Sequence, residues 1–138
     1  MDDHLFGAMT ISAYGMKAQG ERLRMITENV ANAATAAPTP NEDPYSRKII
    51  TFQNELDRKL GMRVVSVKDI EDDTRTPFPI RYMPDHPGAD EAGYVRMPNV
   101  NTLIEMTDMR EAQRTYEANL AMIQQSRTMA ERTIDVLR

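Results

Sequence analysis

Few residues of this chain combine the types and the spacing that metal binding requires. His86 lies close to Asp85, Asp90 and Glu91, yet their spacing matches neither a zinc site nor the calcium loop of an EF-hand. We therefore interpret this stretch as a solvated loop, and His4, which follows two aspartates, as a solvent-facing residue near the terminus. The sequence predicts no metal site and no cofactor.

Catalytic groupings are equally scarce. No serine, histidine and acid stand in the context of an activated nucleophile, and no glycine-rich phosphate loop follows a predicted strand. The adjacent carboxylates Asp72 and Asp73 fall in a segment predicted to be mobile, and the chain contains no cysteine. We expect neither an enzyme nor a protein that binds a small-molecule substrate.

Composition excludes two further classes. The net charge is -4, the pI is about 5.2 and charges of both signs are interspersed, whereas a nucleic-acid surface would concentrate Lys and Arg. No window holds the roughly 18 uncharged apolar residues that a membrane span requires. The acidic start and the lack of an unbroken apolar stretch also predict that any export proceeds without a cleaved Sec signal.

An amphipathic helix is predicted from about residue 3 to residue 33. Apolar side chains recur every seven residues along one stripe, and Ile26 lies on the adjoining row. Asn29, Asn32 and then Pro38 mark its C-terminal end. The residues predicted to pack on this helix, or to contact other subunits, are Met9, Met16, Leu23, Ile26 and Val30.

A second helix is predicted from about residue 102 to residue 137, a stretch without Gly or Pro. Pro98 disfavours helix before it, Asn99 and Asn101 suit turn and cap positions, and Thr102 with Glu105 fits a capping box. Its predicted packing and interface residues again follow sevenfold spacing: Met106, Met109, Tyr116, Leu120, Ile123, Ala130, Ile134 and Leu137.

Short extended segments at 46–53 and 63–70 predict a small β-hairpin between the helices, while 34–44 and 71–92 are interpreted as irregular loop. The predicted fold is mainly α, with two long terminal helices pairing as a coiled-coil-like core around a hairpin and loop insert. Residues 1–35 and 99–138 would form one discontinuous helical domain, and 36–98 the insert.

These helices are long for a chain of 138 residues. A 36-residue helix spans roughly 54 Å, whereas a compact globule of this size has a diameter of about 37 Å. A lone helical hairpin buries too little apolar surface to offset its ordering entropy, so neighbouring chains should cover the rest. We therefore expect the termini to become helical on docking, and the methionines to adapt to different neighbours or simply to fill a core.

Several stretches of the sequence resemble those of a known protein family. "GMKAQGERLRMITENVANAAT", "PYSRKIITFQ" and "PDHPGADEAGYVRMPNVN" followed by "EMTDMREAQRTYEANL" resemble the bacterial flagellar basal-body rod proteins. The likeness covers both ends and much of the middle; 41–43, often glycine-rich in the family, reads Asn-Glu-Asp here, and 74–82 matches only loosely. The signature turn residues are Asn29, Asn32, Gly93, Tyr94, Val95, Arg96, Pro98, Asn99 and Asn101, of which Arg96 is interpreted either as a subunit contact or as a surface arginine.

The resemblance implies a structural subunit of the proximal rod, the periplasmic drive shaft of the flagellum. It implies export by the flagellar type III apparatus and helical stacking with copies of itself and other rod proteins, including the rod-to-membrane-ring adapter and the membrane-ring protein. The alternative from the helical pattern alone is a soluble coiled-coil adapter or chaperone that forms a closed dimer. A closed assembly stops at a fixed mass, whereas head-to-tail contacts propagate.

Overall fold

A computed structural model describes residues 2–58 and 60–136. The elements in chain order are α1 (Asp2–Ala31), β1 (Lys48–Asp57), β2 (Met62–Asp72), β3 (Ile80–Tyr82), β4 (Tyr94–Arg96) and α2 (Thr102–Val136). The two helices pack together, and an antiparallel hairpin of β1 and β2 lies between them in the chain. The predicted fold class is confirmed. No helix within the described ranges is long and apolar enough to cross a membrane.

An asparagine side chain bonds to the backbone at the end of α1 and at the start of α2. At the end of α1, Asn32 Nδ2 donates to the carbonyl of Glu28 (2.9 Å), which also accepts from the backbone N–H of Asn32 (3.1 Å). At the start of α2, Asn101 Oδ1 accepts hydrogen bonds from the backbone N–H groups of Leu103 (3.1 Å) and Ile104 (3.4 Å).

The predicted capping box of Thr102 and Glu105 is therefore wrong. Asn101 caps α2, and the side chain of Glu105 is fully buried and bonded to Arg47 and Asn29 instead of the helix start. The half-buried guanidinium of Arg47 outcompetes a backbone N–H for this carboxylate because charge-assisted hydrogen bonds are the stronger ones.

The hairpin strands run several residues past their predicted limits at 46–53 and 63–70, to Asp57 at the end of β1 and to Asp72 at the end of β2. Gly61, in the connecting turn, has a φ of 64°, a conformation that favours glycine.

A second sheet of two strands joins β3, in the segment predicted to be loop, to β4, in the predicted signature turn. β3 and β4 pair antiparallel, with Ile80 opposite Arg96, Arg81 opposite Val95 and Tyr82 opposite Tyr94. Three-residue strands are too short to show periodicity, and prolines surround β3 at 77, 79 and 84, so the sequence pattern concealed this sheet.

The described chain divides into two compact units, each built from separate segments. Unit 1 comprises residues 1–23, 51–69 and 110–138, and unit 2 comprises 24–50 and 70–109. The predicted domain limits at 35 and 98 stay a prediction, because compactness alone does not say which segments fold independently.

In unit 1, small side chains let α1 and α2 approach closely. A β-carbon on Gly15 would lie 2.8 Å from Asn119 Nδ2, so the glycine permits this approach. Arg22 and Glu111 add an ion pair between the helices at 3.6 Å. The buried side chains of this unit are Ser12, Ala18, Val64, Ala112 and Ser126.

In unit 2, four of the buried side chains are polar. The apolar ones are Met25, Ile26, Ala37, Pro44, Val95 and Pro98, and the polar ones are Asn29, Asp73, Asn99 and Glu105. Polar groups in a protein interior are costly unless they are hydrogen-bonded, so the bonds of these four residues decide how this unit is held.

Candidate functional site

Asn29 is the centre of a buried polar network in unit 2. Its Nδ2 donates to the carbonyl of Lys48 (3.0 Å) and to Glu105 Oε2 (3.1 Å), and its Oδ1 accepts from the hydroxyl of Tyr45 (2.8 Å) and from the backbone N–H of Lys48 (2.9 Å). All four hydrogen-bonding positions of the amide are used. One side chain therefore joins the end of α1, the start of β1 and the first turn of α2.

Glu105 and Arg47 form the charged part of this network. Arg47 Nε donates to Glu105 Oε1 at 2.6 Å, and the other carboxylate oxygen accepts from Asn29. The guanidinium also lies 4.0 Å from Asp73 and 3.9 Å from Asp108. A buried carboxylate that loses its charged partner is strongly destabilising. The pair of Arg47 and Glu105 therefore fixes the position of α2 against the start of β1.

Asn99 and Asp73 extend the network to the loop after β2. Asn99 Oδ1 accepts from the backbone N–H of Arg47 (2.7 Å), and its Nδ2 donates to the carbonyls of Asp73 (2.9 Å) and Thr76 (3.0 Å). The hydroxyl of Thr76 holds the pKa of Asp73 below its ordinary value; burial opposes this, and the N–H groups of Arg75 and Thr76 and the charge of Arg47 reinforce it. Asp73 therefore has a structural role, and its carboxylate already has hydrogen-bond partners.

The signature turn residues from 93 to 96 lie at and beside β4. Val95 is fully buried, whereas Tyr94 is exposed and meets Tyr82 edge to face at 5.3 Å between ring centroids. Gly93 has a φ of 82°, and a β-carbon there would lie 2.9 Å from the Tyr82 ring. This glycine is required both by its backbone conformation and by the space available.

Arg96 binds the 40–43 loop, which includes one of the two segments that depart from the family pattern. Its guanidinium contacts Asp43 Oδ1 at 2.5 Å and donates to the carbonyls of Glu42 (2.9 Å) and Pro40 (3.5 Å). The ion pair is solvent-accessible, so its contribution to stability is modest, about 1 kcal/mol or less. Arg96 thus holds the 40–43 loop of its own chain; a subunit contact by the same residue stays a prediction.

The predicted packing residues differ in burial. Ile26 is buried, and Met106, Leu120 and Ile134 are 49%, 37% and 63% exposed. Leu137 lies outside the described residues. The others are half-buried: Met9, Met16, Leu23, Val30, Met109, Tyr116, Ile123 and Ala130. Whether they contact other subunits stays a prediction.

Each unit also leaves large apolar side chains in solvent. In unit 1 the exposed ones include Phe6, Ile11, Leu56, Leu60, Leu120, Met122, Met129 and Ile134, and in unit 2 Ile80, Tyr82, Tyr94, Leu103, Ile104 and Met106. Contiguous exposed apolar surface on a protein is typical of contact sites for other proteins.

The histidine considered for a metal site takes part in local structure. Across residues 2–58 and 60–136, no group of three or more His, Cys, Asp or Glu side chains is placed to hold a metal ion. His86 Nδ1 accepts a hydrogen bond from the backbone N–H of Gly88 at 3.0 Å, so it closes its own turn. The polar network bonds its members to one another, and such an arrangement positions chain segments.

Sequence reasoning identified some members of this network and missed others. Asn29 and Asn99 were predicted as turn residues, and the structure brings both to the start of β1. Tyr45, Arg47 and Asp73 had no predicted role. Their partners lie up to 58 positions away in the chain, so no local pattern indicates them.

Comparison with known proteins gives one consistent result. The family model described as "Flagellar basal body rod FlgEFG protein C-terminal" matches residues 91–136. The chain is 48% identical over 136 residues to the flagellar basal-body rod protein FlgC of Agrobacterium fabrum, covering 99% of this chain and 97% of that protein. It is 35% identical to FlgC of Borreliella burgdorferi (96% and 97% covered) and 32% identical to FlgC of Escherichia coli O157:H7 (94% and 96% covered).

Proposed function

The chain belongs to the FlgC family of flagellar basal-body rod proteins, and from that membership we propose that it is a structural, non-enzymatic subunit of the proximal rod. Its copies assemble helically with other rod proteins into the periplasmic drive shaft. The partners are further copies of this chain, neighbouring rod proteins, the rod-to-membrane-ring adapter and the membrane-ring protein.

The exposure of predicted packing residues is the observation that carries this proposal. Met106, Leu120 and Ile134 lie on α2 with 49%, 37% and 63% of their surface in solvent. Fully burying an aliphatic side chain contributes about 1.5–3 kcal/mol, so coverage of these residues by neighbours would favour assembly. A rod subunit has such neighbours on several sides.

A small apolar interior supports the same proposal. The largest fully buried side chains among the described residues are Ile26, Glu105, Val95 and Asn29, of which two are polar. We propose that the exported chain travels through the flagellar type III apparatus with largely disordered helical ends. Docking at the growing rod would then provide the burial that makes those ends helical.

Deletion of the gene tests this function. Basal bodies purified from the deletion strain should retain the membrane ring and lack the shaft in electron micrographs, and a plasmid copy of the gene should restore both the shaft and swimming. Mass spectrometry of restored basal bodies should detect the chain. An intact rod in the deletion strain would exclude the proposal.

A further inference from the structure

The end of the β1–β2 hairpin exposes leucines beside arginines. Leu56 and Leu60 are 56% and 42% exposed, and Arg58 and Arg63 are exposed next to them. We call these four residues the hairpin tip. A surface of this composition is complementary to one that combines aliphatic side chains with carboxylates.

Hydrogen bonds near the tip restrict its conformation. Tyr14 OH on α1 donates to Asp57 Oδ2 (3.2 Å), and Asp57 Oδ1 accepts from the backbone N–H of Leu60 (3.4 Å). Gly61 supplies the positive φ of the turn. The leucines are therefore presented to solvent by a turn that is already bonded to α1, which lowers the entropic cost of binding.

A complementary surface occurs on α2 of the same chain. Glu117 lies three residues before Leu120, and Glu131 lies three residues before Ile134, so each acid and its aliphatic residue are neighbours on the helix surface. Leu120 and Ile134 are 37% and 63% exposed, and both glutamates are exposed. We call these four residues the acidic strip.

Existing contacts leave the acidic strip available. Glu131 pairs with Arg127 at 3.1 Å, but both side chains lie largely in solvent, where such a pair contributes about 0.3–0.5 kcal/mol. Arginines of an incoming hairpin tip can replace that contact at little cost.

We propose that the hairpin tip of one copy binds the acidic strip of a second copy. The inference rests on the proposed function and gives it a specific subunit contact. Leu56 and Leu60 would cover Leu120 or Ile134, while Arg58 and Arg63 pair with Glu117 or Glu131. Because the two surfaces differ, the contact is heterologous, and each copy keeps one surface free for the next.

The dimensions agree with this contact. Leu120 and Ile134 are fourteen residues apart, or roughly 21 Å along the helix. A pair of strands is about 5 Å across between backbones and roughly 10 Å with side chains. One tip therefore covers one acid and aliphatic pair of the strip.

Cysteine cross-linking in assembled rods tests the contact directly, since the chain has no cysteine of its own. Leu60→Cys/Leu120→Cys or Leu60→Cys/Ile134→Cys should give disulfide-linked chains, beginning with a dimer of about 31 kDa, twice the 15.7 kDa chain, when purified basal bodies are oxidised. The matched control is Leu60→Cys/Met122→Cys, because Met122 lies about 160° around α2 from Leu120.

The cross-linking result separates two failures. Absence of the unaltered chain from purified basal bodies would contradict the proposed function itself. Presence of both the 60/120 and the 60/134 variants in basal bodies with no dimer, or with a dimer equal to that of the 60/122 control, would overturn only the tip and strip contact.

Charge exchange gives an independent test. Arg58→Glu/Arg63→Glu and Glu117→Lys/Glu131→Lys should each reduce rod assembly and swimming at least tenfold, because like charges then meet. Co-expression of the two variants should restore assembly, since the altered tip of one fits the altered strip of the other. Arg75→Glu/Arg81→Glu, the same charge change at two exposed arginines outside the hairpin tip and the acidic strip, should assemble normally. Failure of co-expression to restore rods would overturn the contact.

Discussion

Asn29 Nδ2 and Glu105 Oε2 lie 3.1 Å apart although 76 positions separate the two residues in the chain, and neither residue exposes any surface to solvent. This bond joins α1 to α2 directly, and the backbone of Lys48 completes the amide's hydrogen bonds from β1. Three elements thus depend on one pair of side chains.

Replacement of Asn29 by leucine should destabilise the chain strongly. The change leaves Tyr45 OH, both backbone groups of Lys48 and one oxygen of Glu105 without this partner, at a cost of roughly 3 kcal/mol. Urea denaturation of the purified chain measures it. Asn32→Leu is the matched control, because the Asn32 side chain donates one hydrogen bond to a carbonyl that also accepts from a backbone N–H, and its loss should cost about 1 kcal/mol or less. Equal losses from both changes would contradict this account.

The buried ion pair should show strong energetic coupling. Arg47→Met and Glu105→Leu should each cost about 3 kcal/mol, and the double variant should lose less than the sum by about 1–3 kcal/mol, since neither charge then remains without a partner. A double-mutant cycle on urea denaturation curves measures the coupling. The exposed pair Arg127 and Glu131 is the control, with an expected coupling below about 0.5 kcal/mol. Additive losses at 47 and 105 would disprove the coupling.

Tyr45 should make stability sensitive to alkaline pH. Burial, assisted by the charges of Glu28, Asp72 and Glu105, raises the pKa of Tyr45 from 10.0 to about 12. The protonated hydroxyl is favoured in the folded chain, so its stabilisation is complete below about pH 10 and is lost as the pH rises towards 12. Urea midpoints between pH 9 and 11 should fall less in Tyr45→Phe than in the unaltered chain. An identical slope in both proteins would exclude this role.

Two glycine substitutions should have opposite effects. Gly93→Ala places a β-carbon 2.9 Å from the Tyr82 ring at a φ of 82°, which should cost about 1–3 kcal/mol. Gly20 lies within α1 and a β-carbon there meets nothing within 4 Å, so Gly20→Ala should stabilise by up to about 1 kcal/mol. Thermal denaturation followed by circular dichroism distinguishes the two. Stabilisation by both changes would show that the turn at 93 tolerates a side chain.

The sequence was sufficient to predict the two long helices. The helices end within two residues of their predicted limits because sevenfold apolar spacing persists over more than twenty residues in each. The sequence was insufficient to predict contacts between residues that are distant in the chain, and it did not indicate the three-residue strands. Glu105 suited a helix cap locally, and only the fold shows that Arg47 binds it.

Sequence reasoning also favoured large apolar residues for the helix contact. Sevenfold spacing pointed to methionine, leucine and valine, yet the deepest positions of unit 1 hold Ser12, Ala18, Ala112 and Ser126. A prediction from apolar spacing favours large hydrophobic residues. Two helices in close contact instead require small side chains where they approach each other.

The exposed thioethers have a chemical consequence. Met106, Met122 and Met129 are 49%, 52% and 51% accessible on the single chain, and peroxide converts an accessible methionine to its sulfoxide. Oxidation of these methionines before assembly would place a polar sulfoxide where an apolar contact with a neighbouring subunit should form. The same reaction, run under mild peroxide and quantified by mass, would show which of the three sulfurs become protected when the shaft is built.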